Sequence, residues 1–308
     1  MISSYTTGIY PRSEKLIDAT RTNAKNLASL YLAEKKEYIV IQKKARLGYV
    51  CDPLVDWDDI FRPFSKLKSV KPEALNRVYE TNTFYRKLAL DGDFADAGNI
   101  VKSHLAVSLL TKNRTVCLVD PYTFADVHVS SRYRKKDELA LSIAKMLRKE
   151  IDTLVKSGFS LIQLVAPSIA YNPKVDFSTV KDALNIITKG LKAKTILHFY
   201  FGDITKKLER LLDMPVSGLG IDTTTTPISS IKKHSFSGKT LAIGIVNSYN
   251  TKLEDKHELV TEINNIISKT KPNEAFVTTN FDLQYLPKEF AVRKILKLGE
   301  IARGVKSA

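Results

Sequence analysis

The sequence predicts an α/β fold, a single-domain (β/α)8 TIM barrel over residues 1–308, and three observations predict it. Short apolar runs alternate with amphipathic helical stretches from one end of the chain to the other. The runs are nearly continuous in apolar residues, as parallel strands buried on both faces require. A length of 308 residues suits a barrel of roughly 250 residues with insertions. Eight of the candidate strands close the barrel if another, at residues 84–90, is an extended excursion over its mouth. An open doubly wound sheet is the alternative. It would usually carry a Gly-rich phosphate turn after the first strand, and Gly-x-Gly-x-x-Gly does not occur.

The elements follow in order. Ile2 to Tyr10 is β-rich and is stopped by Pro11; Ser13 then caps a helix from Glu14 to about Lys36, with Leu16, Thr20, Ala24, Leu27 and Tyr31 on its inner side. Gly48 to Asp52 is a second short strand, and Trp57, Ile60 and Phe61 sit on a helical turn. Arg77 to Arg86 is rich in aromatic and polar groups and leads into the excursion; Asp91 to Asn99 is a loop. Thr115 to Asp120 is a strand closed by Pro121. Asp137 caps a long helix ending at Gly158, with Leu139, Ile143, Leu147, Ile151 and Leu154 as its apolar stripe. Ser160 to Ala166 is a strand closed by Pro167, and Val180, Leu184 and Ile187 mark the next helix. Thr195 to Tyr200 is a strand, Ile204 to Leu212 a short helix, and Gly218 to Asp222 a strand before the polar loop Thr223 to Pro227. Thr240 to Val246 and Ala275 to Thr279 are the last strands. Helices follow them, one through Leu259, Ile263 and Ile266, the other from Lys288 through Phe290, Ile295 and Leu298.

Composition narrows the class. With 44% hydrophobic and 26% charged residues the chain reads as a soluble globular protein. Nothing approaches the roughly 18 consecutive apolar residues of a membrane span, and no signal pattern opens the chain. Cys51 and Cys117 are the only cysteines, which predicts small buried hydrophobes and a reducing, cytoplasmic location. The net charge of +15 favours anionic partners, unless it is only the Lys-rich surface of a thermophile-like composition. Arg132 to Lys136 is the densest basic run. No zinc-finger spacing or RNA-recognition aromatic motif accompanies it, so nucleic acid is not the expected partner.

In a barrel, function sits where the strands end. That rim offers Arg12, Asp52, Asp120, Ser168, Tyr200, Asp222, Asn247 and Asn280. Thr195 to Asp203 is the most informative stretch. His198 and Tyr200 are two apart and share a face of their strand. A His-x-Cys here would supply two soft ligands to zinc, but a phenol with a pKa of about 10 is a poor one. His198 is therefore a weak metal candidate, and the expected metal set is none. A hydrogen-bonded core histidine is its plain reading. Arg12 has a plain reading too, pairing with Asp52 or Asp120, and Asp222 has one as a helix cap. Among the five histidines no Ser-His-Asp order or metal-spaced pair appears.

The rim motifs, taken together and in order, resemble cobalamin-independent methionine synthase, a family with two related (β/α)8 barrels. The likeness is to the first, N-terminal barrel. Gly8-Ile-Tyr-Pro-Arg12 is similar to its Gly-Phe-Pro-Arg, Arg77-Val-Tyr-Glu-Thr-Asn82 to its Lys-Trp-Phe-x-Thr-Asn, and Asp120-Pro-Tyr-Thr-Phe124 to its Gly-Pro-x-Thr-Phe. Tyr200-Phe-Gly202, Leu212 to Asp222 and Gly244-Ile-Val-Asn247 resemble further family motifs. The catalytic barrel's Gln-x-Asp-Glu-Pro is Gln163-Leu-Val-Ala-Pro167 here, its His-x-Cys is His198-x-Tyr200, and its later zinc cysteine falls near Asn280-Phe-Asp-Leu283. Of the soft ligands only His198 remains.

The resemblance implies a role in methionine biosynthesis. The chain would help bind a methylated tetrahydropteroyl-glutamate, a folate-type anion, for methyl transfer to homocysteine on a separate zinc-bearing catalytic barrel. It would hold no cofactor itself and be inactive alone. By resemblance Glu14 and Lys15, beside Arg12, take the folate-binding role of the family's Arg-Glu-Leu-Lys. Arg77 replaces a Lys there, with Asn82 beside it. The rival expectations are a stand-alone methyltransferase using another methyl donor and a non-catalytic basic binding module.

Overall fold

The computed structural model describes residues 2–306. Eight strands form, all but the first where the sequence is largely apolar: β1 (Ile2–Tyr5), β2 (Val50–Cys51), β5 (Arg114–Val119), β6 (Phe159–Val165), β7 (Lys194–Phe199), β8 (Gly218–Asp222), β9 (Thr240–Val246) and β10 (Glu274–Thr279). The intervening β3 (Val70–Arg77) and β4 (Phe84–Leu90) stand apart as an antiparallel pair. The eight are paired in parallel in the order β1-β10-β9-β8-β7-β6-β5-β2. The two ends of that order meet: the amide of Tyr49, just before β2, donates to the carbonyl of Ser4 at 3.0 Å. This seam completes a (β/α)8 barrel with helices outside.

Because every barrel strand runs the same way, all eight carboxyl ends face one side. Inside, Tyr5, Leu161, Ile196, Ala242 and Phe276 fill one layer, with Tyr5 and Phe276 edge to face at 5.5 Å. Nearer the mouth the filling turns polar. The Gln163 amide donates to Thr7 Oγ1 at 2.9 Å, and the Thr7 hydroxyl donates to the carbonyl of Thr279 at 3.1 Å. Among the described residues no helix is long and apolar enough to cross a membrane.

The excursion at residues 84–90 is one arm of a hairpin. Its partner β3 lay hidden in the sequence because it is exposed from Lys71 to Arg77 and so shows no apolar pattern. Tyr85, Leu88 and Leu90 of β4 are buried, and two backbone bonds dock the hairpin on the barrel: the Leu90 amide donates to the Val129 carbonyl at 2.8 Å and the Val129 amide to the Leu88 carbonyl at 3.2 Å.

Several helices differ from expectation. The first is two helices, Glu14–Arg21 and Leu27–Ala45. The Thr22 hydroxyl bonds back to the Asp18 carbonyl, and Asn23 turns to φ 47°, a conformation asparagine tolerates. Ser13 caps the first as expected, accepting from Leu16 N at 3.2 Å. The second buries Lys35, Tyr38, Ile39 and Gln42, while Ala24, Leu27 and Tyr31 stay half-buried. Pro121 and Pro167 do more than close strands: each opens a short helix, Pro121–Val127 and Pro167–Tyr171, as proline at a first helical position does. Asp137 lies inside the first turn of Lys136–Lys156 and does not cap it. The turn after Trp57 is a 3-10 helix at Arg62–Lys66. Phe290 is half-buried, leaving Ala291, Ile295 and Leu298 to anchor the last helix, Lys288–Gly304.

A candidate functional site at the barrel mouth

His198 leaves β7 into the barrel. Its Nε2 donates to the carbonyl of Asn280 at 2.9 Å, and its Nδ1 faces the Gln163 amide at 3.2 Å. Burial pushes its pKa down to about 4, so the ring is neutral at pH 7. A Cβ on Gly220 would stand 2.3 Å from Nδ1, so glycine there is what leaves the ring its place. With one nitrogen donating and the other accepting, neither is free for a metal. Tyr200, at the position a soft ligand would need, packs its ring on Phe281 at 4.6 Å. Among the described residues no three His, Cys, Asp or Glu side chains gather as a metal site. The residues present do not fit zinc.

Above His198 the mouth is closed by aromatic rings. Phe201, Tyr249, Phe281 and Tyr285 form a series: Tyr249 and Phe281 are 27° apart in plane, Phe281 and Tyr285 only 8°. From the hairpin, Tyr79 packs on Tyr85, Tyr171 and Phe201, and its hydroxyl bonds the Ser168 hydroxyl at 2.8 Å. The hairpin is thus fastened across the mouth.

Asn280 is the polar hub beneath. Its Oδ1 accepts from the amide and hydroxyl of Ser248, both at 2.8 Å, and its Nδ2 donates to Asp222 Oδ1 at 3.2 Å. Asp222 also accepts from the Thr224 amide at 2.8 Å and the Tyr249 hydroxyl at 3.1 Å; burial raises its pKa despite these donors. Asp222 therefore belongs to this network and does not cap the helix Ile228–Ile231, whose N-terminus follows Pro227. Asn247 holds the adjacent loop, donating through its backbone to Glu254 and accepting from Tyr249 N.

Asp282 and Tyr200 are the unsatisfied members of the mouth. Asp282 Oδ2 accepts from Gln284, while Oδ1 and the Tyr200 hydroxyl are buried with no well-formed hydrogen bond; the Ile9 amide lies close enough to the Asp282 carboxyl to favour its charge slightly. Burial pushes the Asp282 pKa up to about 8 and the Tyr200 phenol well above its usual value. Gly8 turns at φ 68°, and a Cβ there would fall 1.4 Å from Asp282 Oδ1. Sequence reasoning took Asn280 from this strand end and missed Asp282, Tyr249 and Tyr285. Asp282 lies two residues past Asn280, so it shares that strand exit, but a loop carboxylate gives no local sign of its burial.

The other candidate residues lie apart from the mouth network. Arg12 pairs with neither Asp52 nor Asp120. It donates to the carbonyls of Val55 (2.6 Å) and Trp57 (3.0 Å) and to Asp58 (2.9 Å), clamping the loop after β2. Asp52 joins a buried group in which Lys35 Nζ reaches Asp52 at 3.3 Å and Asp56 at 2.7 Å. Asp120 caps Pro121–Val127 through Tyr122 N and Thr123 N; burial still pushes its pKa up to about 7. Glu14 and Lys15 are exposed neighbours on the first helix. Arg77 and Asn82 are exposed at the hairpin turn, where Arg77 donates to the carbonyls of Thr81 and Glu80 at 2.5 and 3.1 Å.

Comparison with known proteins agrees with this architecture. The chain is 26% identical over 306 residues to a methionine synthase of Saccharolobus solfataricus, covering 95% of this chain and 91% of the relative. It is 26% identical over 308 residues to a methionine synthase of Sulfolobus acidocaldarius, covering 94% and 88%. Among solved structures, a B12-independent methionine synthase from Shewanella superposes with a TM-score of 0.73 at 17% identity over 98% of this chain and 96% of the other, which shows the shared fold. Residues 55–271 match the family described as "Cobalamin-independent synthase, N-terminal domain". With that match over most of the chain and the barrel described above, the chain belongs to the cobalamin-independent methionine synthase family.

Proposed function

We propose that the chain serves methionine biosynthesis as an N-terminal-type barrel. It helps bind a methylated folate-type anion while a separate, zinc-bearing catalytic barrel carries the transfer to homocysteine. The observation that carries this reading is His198. Both its nitrogens are engaged, and the rings of Tyr200 and Phe281 occupy the space beside it. Zinc would activate a thiol by favouring its thiolate, and no residue at this mouth replaces that role. The net charge of +15 and the exposed Lys15 and Arg77 support an anionic, multiply charged substrate, with Glu14 and Asn82 beside them and Arg12 holding the neighbouring loop.

The test is zinc content and methyl transfer to homocysteine, measured on the pure chain and after adding a zinc-bearing catalytic barrel. The expected result is no bound zinc and no methionine from the chain alone, with turnover restored in the mixture. Stoichiometric zinc and turnover by the chain alone would overturn the reading.

A further inference from the structure

Two adjoining cavities at the outer edge of the rim share three lining residues and together make the candidate groove. The first, of about 590 Å³, is lined by Tyr122, Ala125 and Val175; the second, of about 610 Å³, by Tyr171, Lys206 and Lys207. Pro173, Phe177 and Arg210 line both. Each is of the size that encloses small molecules, roughly 300–1,000 Å³. The groove runs across the loops that follow β5, β6 and β7, on the side of the barrel where ligand sites form. Gly202 sets the close approach of two of these loops, since a Cβ there would meet the Ala170 carbonyl oxygen at 2.6 Å.

The two halves differ in charge. In the first, the acids are already engaged. Asp126 holds Lys136 at 2.6 Å and Asn172 at 2.8 Å, and Asp176 caps the helix Phe177–Thr188. Asp137 Oδ1 accepts from Glu138 N at 2.9 Å. What remains on offer is aromatic and aliphatic surface, with the exposed Lys174 beside it. In the second half one acid, Asp203, stands among three cations, its Oδ1 accepting from the Thr205 amide at 2.8 Å and hydroxyl at 2.6 Å. Lys207 is committed to the carbonyls of Ile169, Ala170 and Asn172 at 2.7–2.8 Å. Lys206 and Arg210 are exposed, and among the described residues neither has a carboxylate within 4.0 Å. Arg210 lies over the Phe177 ring at 5.4 Å, at the junction of the halves. A guanidinium over a ring face leaves its N–H donors free for other partners, and its fork matches carboxylate or phosphate oxygens two at a time.

The geometry points to a binding groove for a small molecule that joins a flat ring to two or more negative groups. The ring lies in the half of Tyr122 and Phe177, and the negative groups meet Lys206 and Arg210. None of the residues given a folate role above lines the groove, so the assignment stands apart from the methyl-transfer reading. Carboxylate and phosphate share the required chemistry.

Calorimetric titration of the full chain tests it with two probes, adenosine triphosphate for phosphate and phenylsuccinate for carboxylate, each beside its fragments adenosine, inorganic triphosphate and succinate. Binding of at least one intact probe is expected, and the one that binds names the anion. The fragments and the Lys206→Ala, Arg210→Ala double variant should each weaken binding by about tenfold or more. Arg210→Lys should fall between, and Arg77→Ala should leave binding unchanged. Both altered side chains of the double variant are exposed, and its circular dichroism should match the wild type. Failure of both probes to bind, or equal binding by the double variant, overturns the proposal.

Discussion

Asp282 shows how much of this site depends on single residues. Its carboxyl is buried with one oxygen unpartnered, and its pKa is pushed up to about 8. A native pKa raised above the unfolded value of about 3.9 means the native state holds the extra proton between those limits. The stability it confers is whole below pH of about 4 and is lost as pH rises through about 8. The slope across that window is at most about 1.4 kcal/mol per pH unit from this group. Asp282→Asn should remove that part of the slope, so urea unfolding at pH 5 and pH 8 should differ less in the variant than in the wild type. His198 acts in the opposite sense: its lowered pKa means stability lost as pH falls from about 6.5 toward about 4. A direct comparison of variant with wild type cancels that contribution. The sequence made His198 legible as a core histidine, because an apolar strand surrounds it. It did not reveal Asp282, whose burial is produced by the hairpin and Gly8 arriving from distant parts of the chain.

Elements were legible in proportion to their burial. The barrel strands stood out as apolar runs, whereas β3, exposed along one arm of the hairpin, carried no such pattern. The short helices opened by Pro121 and Pro167 were read only as strand ends, since a proline fits both descriptions. At this scale the helix Leu27–Ala45 is tied to the loop after β2 and to the helix Ile100–His104 by one lysine. Lys35 pairs with Asp52 and Asp56 and also donates to the His104 carbonyl, and Asp56 bonds His104 Nδ1 at 2.8 Å. Burial pulls the Asp56 pKa up, but the bond to His104 and the charge of Lys35 outweigh it and hold the carboxyl below its usual range. Removing only the cation leaves buried carboxylates without their partner, which costs about 3–5 kcal/mol. Lys35→Met should therefore lower the urea midpoint by a corresponding amount, and restoring part of it by adding Asp52→Asn would show that the loss comes from the stranded charge.

For the whole molecule, the alternation of strand and helix and the ordered rim motifs were enough to specify a barrel and its family. The placement of individual charges was not, because loops converge from all parts of the chain: Arg12 turned to the loop at Val55–Asp58, and the cationic groove at Arg210 is assembled from three loops that show no pattern of their own. The barrel itself is a ring of unequal links. β10 meets β1 over four residues, but β2 is a two-residue strand, and the ring is completed beside it by the bond from Tyr49 to Ser4. Thermal opening of a ring begins at its weakest link. The Tyr49 amide should exchange with deuterium well before those of Leu197 and Leu219 in the opposite wall, as amide-resolved exchange would show. The molecule then breathes as a curled sheet hinged away from the seam, and its aromatic mouth can loosen on the β1–β2 side while the β7–β10 wall beneath Asn280 stays shut.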